Sequence, residues 1–144
     1  MFESDVRFMS RAAAEQMAAS PGTVAVSIFE PGSEPACLRE GFRDVLRVAF
    51  WDVVDPIEQA GIRYEPITPE IASMIVGWLD GWDEHPDSVR LIVHCRAGVS
   101  RSAAVARFAA ERYGLDIRGD TRFANIEVLR QLRRAAWLVP AGGE

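Results

Sequence analysis

The run Val89-Arg90-Leu91-Ile92-Val93 is apolar except at Arg90, and it leads directly into His94-Cys95-Arg96-Ala97-Gly98-Val99-Ser100-Arg101-Ser102. A short continuous apolar run of this kind is the pattern of a strand buried on both faces in a parallel sheet. Small residues follow from Ser102 to Tyr113, and Gly114 stands where a helix C-cap is expected. A buried strand, a tight loop and a helix in immediate succession commit the chain to packed layers of helix on sheet.

The rest of the sequence fits the same architecture. Val6 to Met9 reads as a short strand, and Ser10 can cap a helix through Ala12 to Met17 that stops before Pro21-Gly22. Thr23 to Phe29 alternates and is rich in β-branched residues, and Pro31-Gly32 closes it; Val45 to Phe50 reads as a further strand. Thr68-Pro69-Glu70 opens a helix with a capping hydroxyl, a proline in the first turn and an early acid. Its Ile71, Ile75, Trp78, Leu79 and Trp82 share one face, so the tryptophans are assigned to core packing. A last helix is expected from Asn125 to Ala136, with Asn125 as its cap and Ile126, Leu129, Leu132 and Arg133 at helical spacing. Strands alternating with helices give an α/β fold: a mainly parallel central sheet of about four to five strands, flanked by helices. Residues 1–144 are expected to form one domain, without repeats or linkers.

Charge narrows the function classes. The net charge is −5, but residues 1–89 hold 6 arginines against 16 acids, whereas residues 90–144 hold 10 arginines against 5 acids. A basic part on an acidic chain suits one local anion site, not the broad basic surface that nucleic acid requires. No window approaches a membrane span, and the acidic start Met1-Phe2-Glu3-Ser4-Asp5 is unlike a secretory signal, so a cytoplasmic location is expected. With two cysteines (Cys37 and Cys95) and two histidines (His85 and His94), neither a disulfide framework nor a four-ligand zinc site is expected.

The loop itself carries the chemistry. Ligands in open α/β sheets bind at the carboxyl ends of strands, and a helix N-terminus behind a curled loop is an anion cradle. Cys95 stands where the helix dipole and Arg101 favour the nucleophilic thiolate. Arg101 offers a planar two-pronged donor matched to phosphate. The backbone from Arg96 through Ala97, Gly98, Val99 and Ser100 supplies amides, with Gly98 giving the conformational freedom. Ser102 is placed for a hydroxyl hydrogen bond to the sulfur, and His94 packs beneath the loop to orient it.

His-Cys-x-x-Gly-x-x-Arg-Ser resembles the signature of the protein tyrosine phosphatase superfamily, in particular its compact dual-specificity branch and small bacterial relatives. The clear similarity spans about residues 89–113. It implies a two-step reaction without metal or other cofactor: Cys95 attacks phosphorus, Arg101 and the loop amides hold the oxygens, and an acid protonates the leaving group. Water then hydrolyses the cysteinyl phosphate. The expected substrate is a phosphorylated protein, phosphotyrosine foremost and with dual specificity open. The alternatives are a non-protein phosphomonoester, such as a phosphoinositide or an RNA 5′ phosphate, and a phosphate-binding module without turnover.

The resemblance also implies an aspartate acid in a loop after a strand, upstream of the cysteine. Phe50-Trp51-Asp52-Val53-Val54-Asp55-Pro56 fits and offers Asp52 and Asp55. Asp52 is favoured because it follows the strand end directly and stands next to an aromatic residue, although the order departs from tryptophan-proline-aspartate. Arg96 is expected to point outward, toward solvent or an acidic flank of the substrate. Cys37 is expected to be a passive buried thiol, with a reversible disulfide to Cys95 as the alternative. His85 is expected at a surface helix end.

Overall fold

The structure is a computed structural model that describes residues 1–138. Seven strands and four helices are seen among them: β1 (Phe2–Ser10), α1 (Arg11–Gln16), β2 (Thr23–Phe29), β3 (Asp44–Ala49), β4 (Ile57–Gln59), β5 (Ile62–Tyr64), α2 (Pro69–Asp83), β6 (Val89–Cys95), α3 (Arg101–Tyr113), β7 (Asp116–Arg118) and α4 (Ile126–Leu138). Five strands form one sheet in the order β3-β2-β6-β1-β7, and every pair in it is parallel. This is the α/β class expected, at the upper end of the expected strand number. No described helix is long and apolar enough to cross a membrane.

The central position of β6 explains its composition. Val89, Leu91, Val93 and Cys95 join the main core together with Val24, Val26 and Ile28 of β2, and this core is closed by Ile75 and Leu79 of α2, Val105 and Phe108 of α3, and Leu129 and Leu132 of α4. The alternate residues Ile92 and His94 are equally buried but face the opposite side, where Ser27 and Arg47 lie. A strand covered on both faces has no position left for exposed polar residues, apart from Arg90 near its start.

Several boundaries shift. β1 begins at Phe2, not at Val6, since Phe2 is buried and pairs with Val89. The turn 59–62 closes an unanticipated hairpin, β4–β5, in which Ala60 and Gly61 take φ of 52° and 76°. The short β7 was likewise unanticipated. Ile126 is 72% exposed and Arg133 is exposed, bonded to Glu111, so neither belongs to the core stripe that α4 presents. Trp78 and Trp82 do pack against the core, half-buried, and both Nε1–H groups donate to Asp44.

The carboxyl ends of β1, β2, β3 and β6 converge on one edge of the sheet: Ser10, Phe29, Ala49 and Cys95. The loop between Cys95 and α3 emerges there.

Candidate active site

The segment from Arg96 to Ser100 curls around the Cys95 sulfur. Cys95 is 2% exposed. Its Sγ accepts from the N–H of Gly98 at 3.3 Å and of Ser102 at 3.4 Å, and the Ser102 hydroxyl lies 3.1 Å away. Toward a thiolate that hydroxyl is a donor, so three donors converge on the sulfur. Gly98 makes the curl possible: its φ is +75°, and a Cβ there would stand 2.3 Å from the Ser10 nitrogen. The loop therefore rests directly on the end of β1, and the Arg11 N–H donates to the Arg96 carbonyl at 3.2 Å.

Ser100 precedes α3 but makes no side-chain cap bond. In its place the first-turn N–H of Ser102 donates to the Cys95 sulfur, which aims the positive end of the helix at the loop.

Arg101 is 4% exposed. Its Nη1 donates to the Phe50 carbonyl at 2.8 Å, and its Nη2 lies 2.8 Å from Glu30 Oε2. The Glu30 contact is an ion pair without hydrogen-bond alignment, as Oε2 has no hydrogen-bond donor. The buried Nε of Arg101 has no acceptor among the described residues. Buried donors are nearly always paired, so an unpaired Nε–H on the arginine that closes the loop stands out.

His94 is fully buried, with Nε2 2.6 Å from Ser27 Oγ. Arg47 Nη1 approaches the same Ser27 oxygen at 3.5 Å. The Ser27 hydroxyl thus ties His94 to Arg47 on the far side of the sheet, while the buried Nδ1 of His94 has no hydrogen-bond partner among the described residues. Burial holds the imidazole below its ordinary value, while the Cys95 backbone pulls the other way. His94 is a neutral prop beneath the loop, on the far face of the sheet from the core.

The two aspartates separate clearly. Asp52 Oδ1 accepts from Ser100 Oγ at 2.8 Å and from Asn125 Nδ2 at 2.8 Å, so Asp52 is tied to the loop. Its Oδ2 has no hydrogen-bond partner among the described residues. Asp55 is exposed and its charge acts on Arg130 of α4. Trp51 packs edge-on against Tyr64 of β5 at 4.7 Å, so the hairpin steadies the segment carrying Asp52.

Arg96 points outward, its side chain 79% exposed, with Glu30 at 3.7 Å. It borders a hollow of about 390 Å³ together with Arg11, Glu30 and Ser33. Ala97 and Val99 are exposed on the loop rim. Cys37 is exposed, which corrects the expected buried thiol: Ala36 takes the buried position, and the next residue turns outward. His85 is half-buried at the end of α2, stacked near Trp82, and accepts from the Asp87 N–H.

Two residues of this site were not foreseen in these roles. Glu30 directly follows β2 and precedes Pro31-Gly32, and an acid just past the carboxyl end of a parallel strand was the available signal. Asn125 was expected as a cap, and its Oδ1 does accept from the N–H of Glu127 and of Val128 at 3.0 Å each. It also donates to Asp52 and to the Val53 carbonyl, while its own N–H donates to the Ser100 carbonyl. One buried residue thereby joins α4 and the Asp52 segment through its side chain and the Cys95 loop through its N–H.

No family model and no curated protein matches the chain. Among solved structures, the crystal structure of human tyrosine phosphatase-like serine/threonine/tyrosine-interacting protein is similar in fold, with a TM-score of 0.52 over 92% of this chain and 97% of that one, at 14% sequence identity. The chain thus shares the α/β architecture of that structure, with a cysteine loop at the carboxyl edge of its parallel sheet.

Proposed function

We propose that the protein hydrolyses phosphomonoesters through a cysteinyl-phosphate intermediate on Cys95, acting on phosphorylated proteins and on phosphotyrosine foremost. One observation carries this reading: a buried sulfur with three donors stands in a loop that closes on a buried arginine with a spare Nε–H.

The chemistry follows from those atoms. The Cys95 thiolate attacks phosphorus, the S–P bond forms, and the bond to the leaving oxygen breaks. Charge on the equatorial oxygens is met by the Arg101 guanidinium and by the amides of the loop. The leaving oxygen takes a proton from Asp52 Oδ2, the carboxyl atom that neither Ser100 nor Asn125 occupies. In the second step water attacks phosphorus and passes its proton to the same carboxylate. The S–P bond then breaks, and the Ser102 hydroxyl donates to the departing thiolate. Glu30 and His94 are positioning residues: the first holds Arg101, the second holds the loop from below.

A phosphate-binding module without turnover is the other reading, given a fold neighbour that is called phosphatase-like. Hydrolysis of para-nitrophenyl phosphate by the purified protein separates the two. The expected result is turnover that Cys95→Ser abolishes while phosphate binding persists. A wild type that binds phosphate and does not turn over would sink the catalytic reading.

A further inference from the structure

The two sides of the loop differ in chemistry. On the Arg96 side lies the charged hollow with Arg11 and Glu30. On the Ser100 side lies a second hollow of about 430 Å³, lined by Asp52, Ser100, Val54, Ile57, Phe123 and Ile126 among others. Four of these are large apolar side chains held in solvent: Phe123 is 67% exposed, Ile126 72%, Val54 45% and Ile57 46%. Asp52 is the only charged side chain lining it, and its Oδ1 is already engaged.

The outward position of Phe123 is built, not left over. The Arg122 N–H and guanidinium both bond to Asp120, the Ala124 N–H donates to the Thr121 carbonyl, and the next residue, Asn125, is tied to the Ser100 carbonyl by its N–H. Arg122 covers one approach to the Phe123 ring, at 5.6 Å from its centre. Asn125 likewise fixes the first turn of α4 and so places Ile126 at the rim. Clustered exposed apolar groups of this kind mark a contact surface. Continuity with the Cys95 loop through Asp52 and Ser100 says what the contact is: whatever brings a phosphate to the loop lays its neighbouring atoms across this hollow. Against four exposed apolar side chains an apolar neighbour is desolvated favourably, whereas a charged one loses hydration over most of the hollow and meets a charged lining group only at Asp52.

We infer that this hollow receives a bulky apolar side chain adjacent to the phosphorylated residue of a protein substrate, with Phe123 and Ile126 as specificity-determining residues; the inference rests on the phosphatase reading of the Cys95 loop. Phosphotyrosyl peptides identical except for Leu or Ser immediately before or after the phosphotyrosine test it, with para-nitrophenyl phosphate as a substrate too small to span the hollow. A Leu peptide is expected to exceed its Ser counterpart about tenfold in kcat/KM, the size of effect one apolar contact supports. Phe123→Ser and Ile126→Ser are expected to shrink that ratio to about twofold. Turnover of para-nitrophenyl phosphate with no preference between peptides overturns this inference and leaves the phosphatase reading standing. So does an equal fall on all substrates in the variants, which indicates a structural role. Wild-type dimers that Phe123→Ser dissociates, seen by sedimentation, overturn it in favour of a second copy as the occupant. No turnover of any substrate overturns both readings.

Discussion

Replacing Gly98 by alanine is a sharp test of how the Cys95 loop is held. Its φ of +75° costs an alanine about 1–2 kcal/mol on backbone grounds alone. The new Cβ would also stand 2.3 Å from the Ser10 nitrogen and 2.4 Å from the Met9 carbonyl carbon, against 3.4 Å for ordinary contact. Both are backbone atoms at the end of β1, held there by pairing with His94 and Cys95 of β6, so the loop must yield by about 1 Å. A displacement of that size in groups that position a reacting atom costs about a hundredfold in rate. Gly114 supplies the internal control: its φ is +69°, but nothing lies within 4 Å of its Cβ position. Gly114→Ala should lower the melting temperature by about 3 °C and leave kcat/KM for para-nitrophenyl phosphate near wild type. Gly98→Ala should cut kcat/KM about a hundredfold and weaken inhibition by inorganic phosphate. Wild-type kcat/KM in Gly98→Ala would refute the packing of the loop on β1.

Three further expectations follow. Asp52→Asn should lower kcat by about 10²–10⁴-fold for phenyl phosphate, whose leaving group needs a proton, and by less for para-nitrophenyl phosphate, whereas Asp55→Asn should leave both near wild type; the reverse pattern assigns the acid to Asp55. Glu30→Gln keeps the shape but leaves Arg101 without its charge partner, so kcat/KM should fall about tenfold or more and phosphate inhibition should weaken, with partial rescue in Glu30→Asp; unchanged phosphate inhibition contradicts a positioning role. His94 titrates below its ordinary 6.5 because it is buried, so the unfolded chain takes up a proton that the folded chain refuses. Its share of stability is complete above that value and is lost as pH falls below it. Urea midpoints should therefore drop between about pH 7 and 5.5, before the carboxylates held low by arginine partners, such as Glu111 and Glu127, begin to contribute below about 4.5. A flat midpoint over that range contradicts a neutral buried His94.

The sequence was legible where one local pattern decides the outcome. Val89 to Val93 has to be buried on both faces, and a loop running from a strand into a helix has one way to present a cysteine. The β4–β5 hairpin escaped because its turn uses Ala60-Gly61 in place of the asparagine or aspartate that usually announces two positive φ values. β7 has three residues, and pairing with β1 alone makes it a strand. Glu30 and Asn125 act across 71 and 73 residues of sequence, on Arg101 and Asp52 respectively, and no local periodicity encodes such a meeting. Ile126 shows the same limit in reverse: helical spacing placed it on the apolar face, but the cap at Asn125 sets it at the rim of the hollow beside Asp52.

The most direct measurement is capture of the phosphoenzyme. Ser102→Ala removes the donor to the departing sulfur and should slow hydrolysis of the intermediate more than its formation. Rapid acid quench of that variant with para-nitrophenyl phosphate, followed by mass spectrometry of the peptides, should then show phosphate on Cys95 and a burst of para-nitrophenol approaching one per chain. Phosphate on any other residue, or turnover that persists in Cys95→Ser, would contradict the central claim that the Cys95 sulfur is the nucleophile.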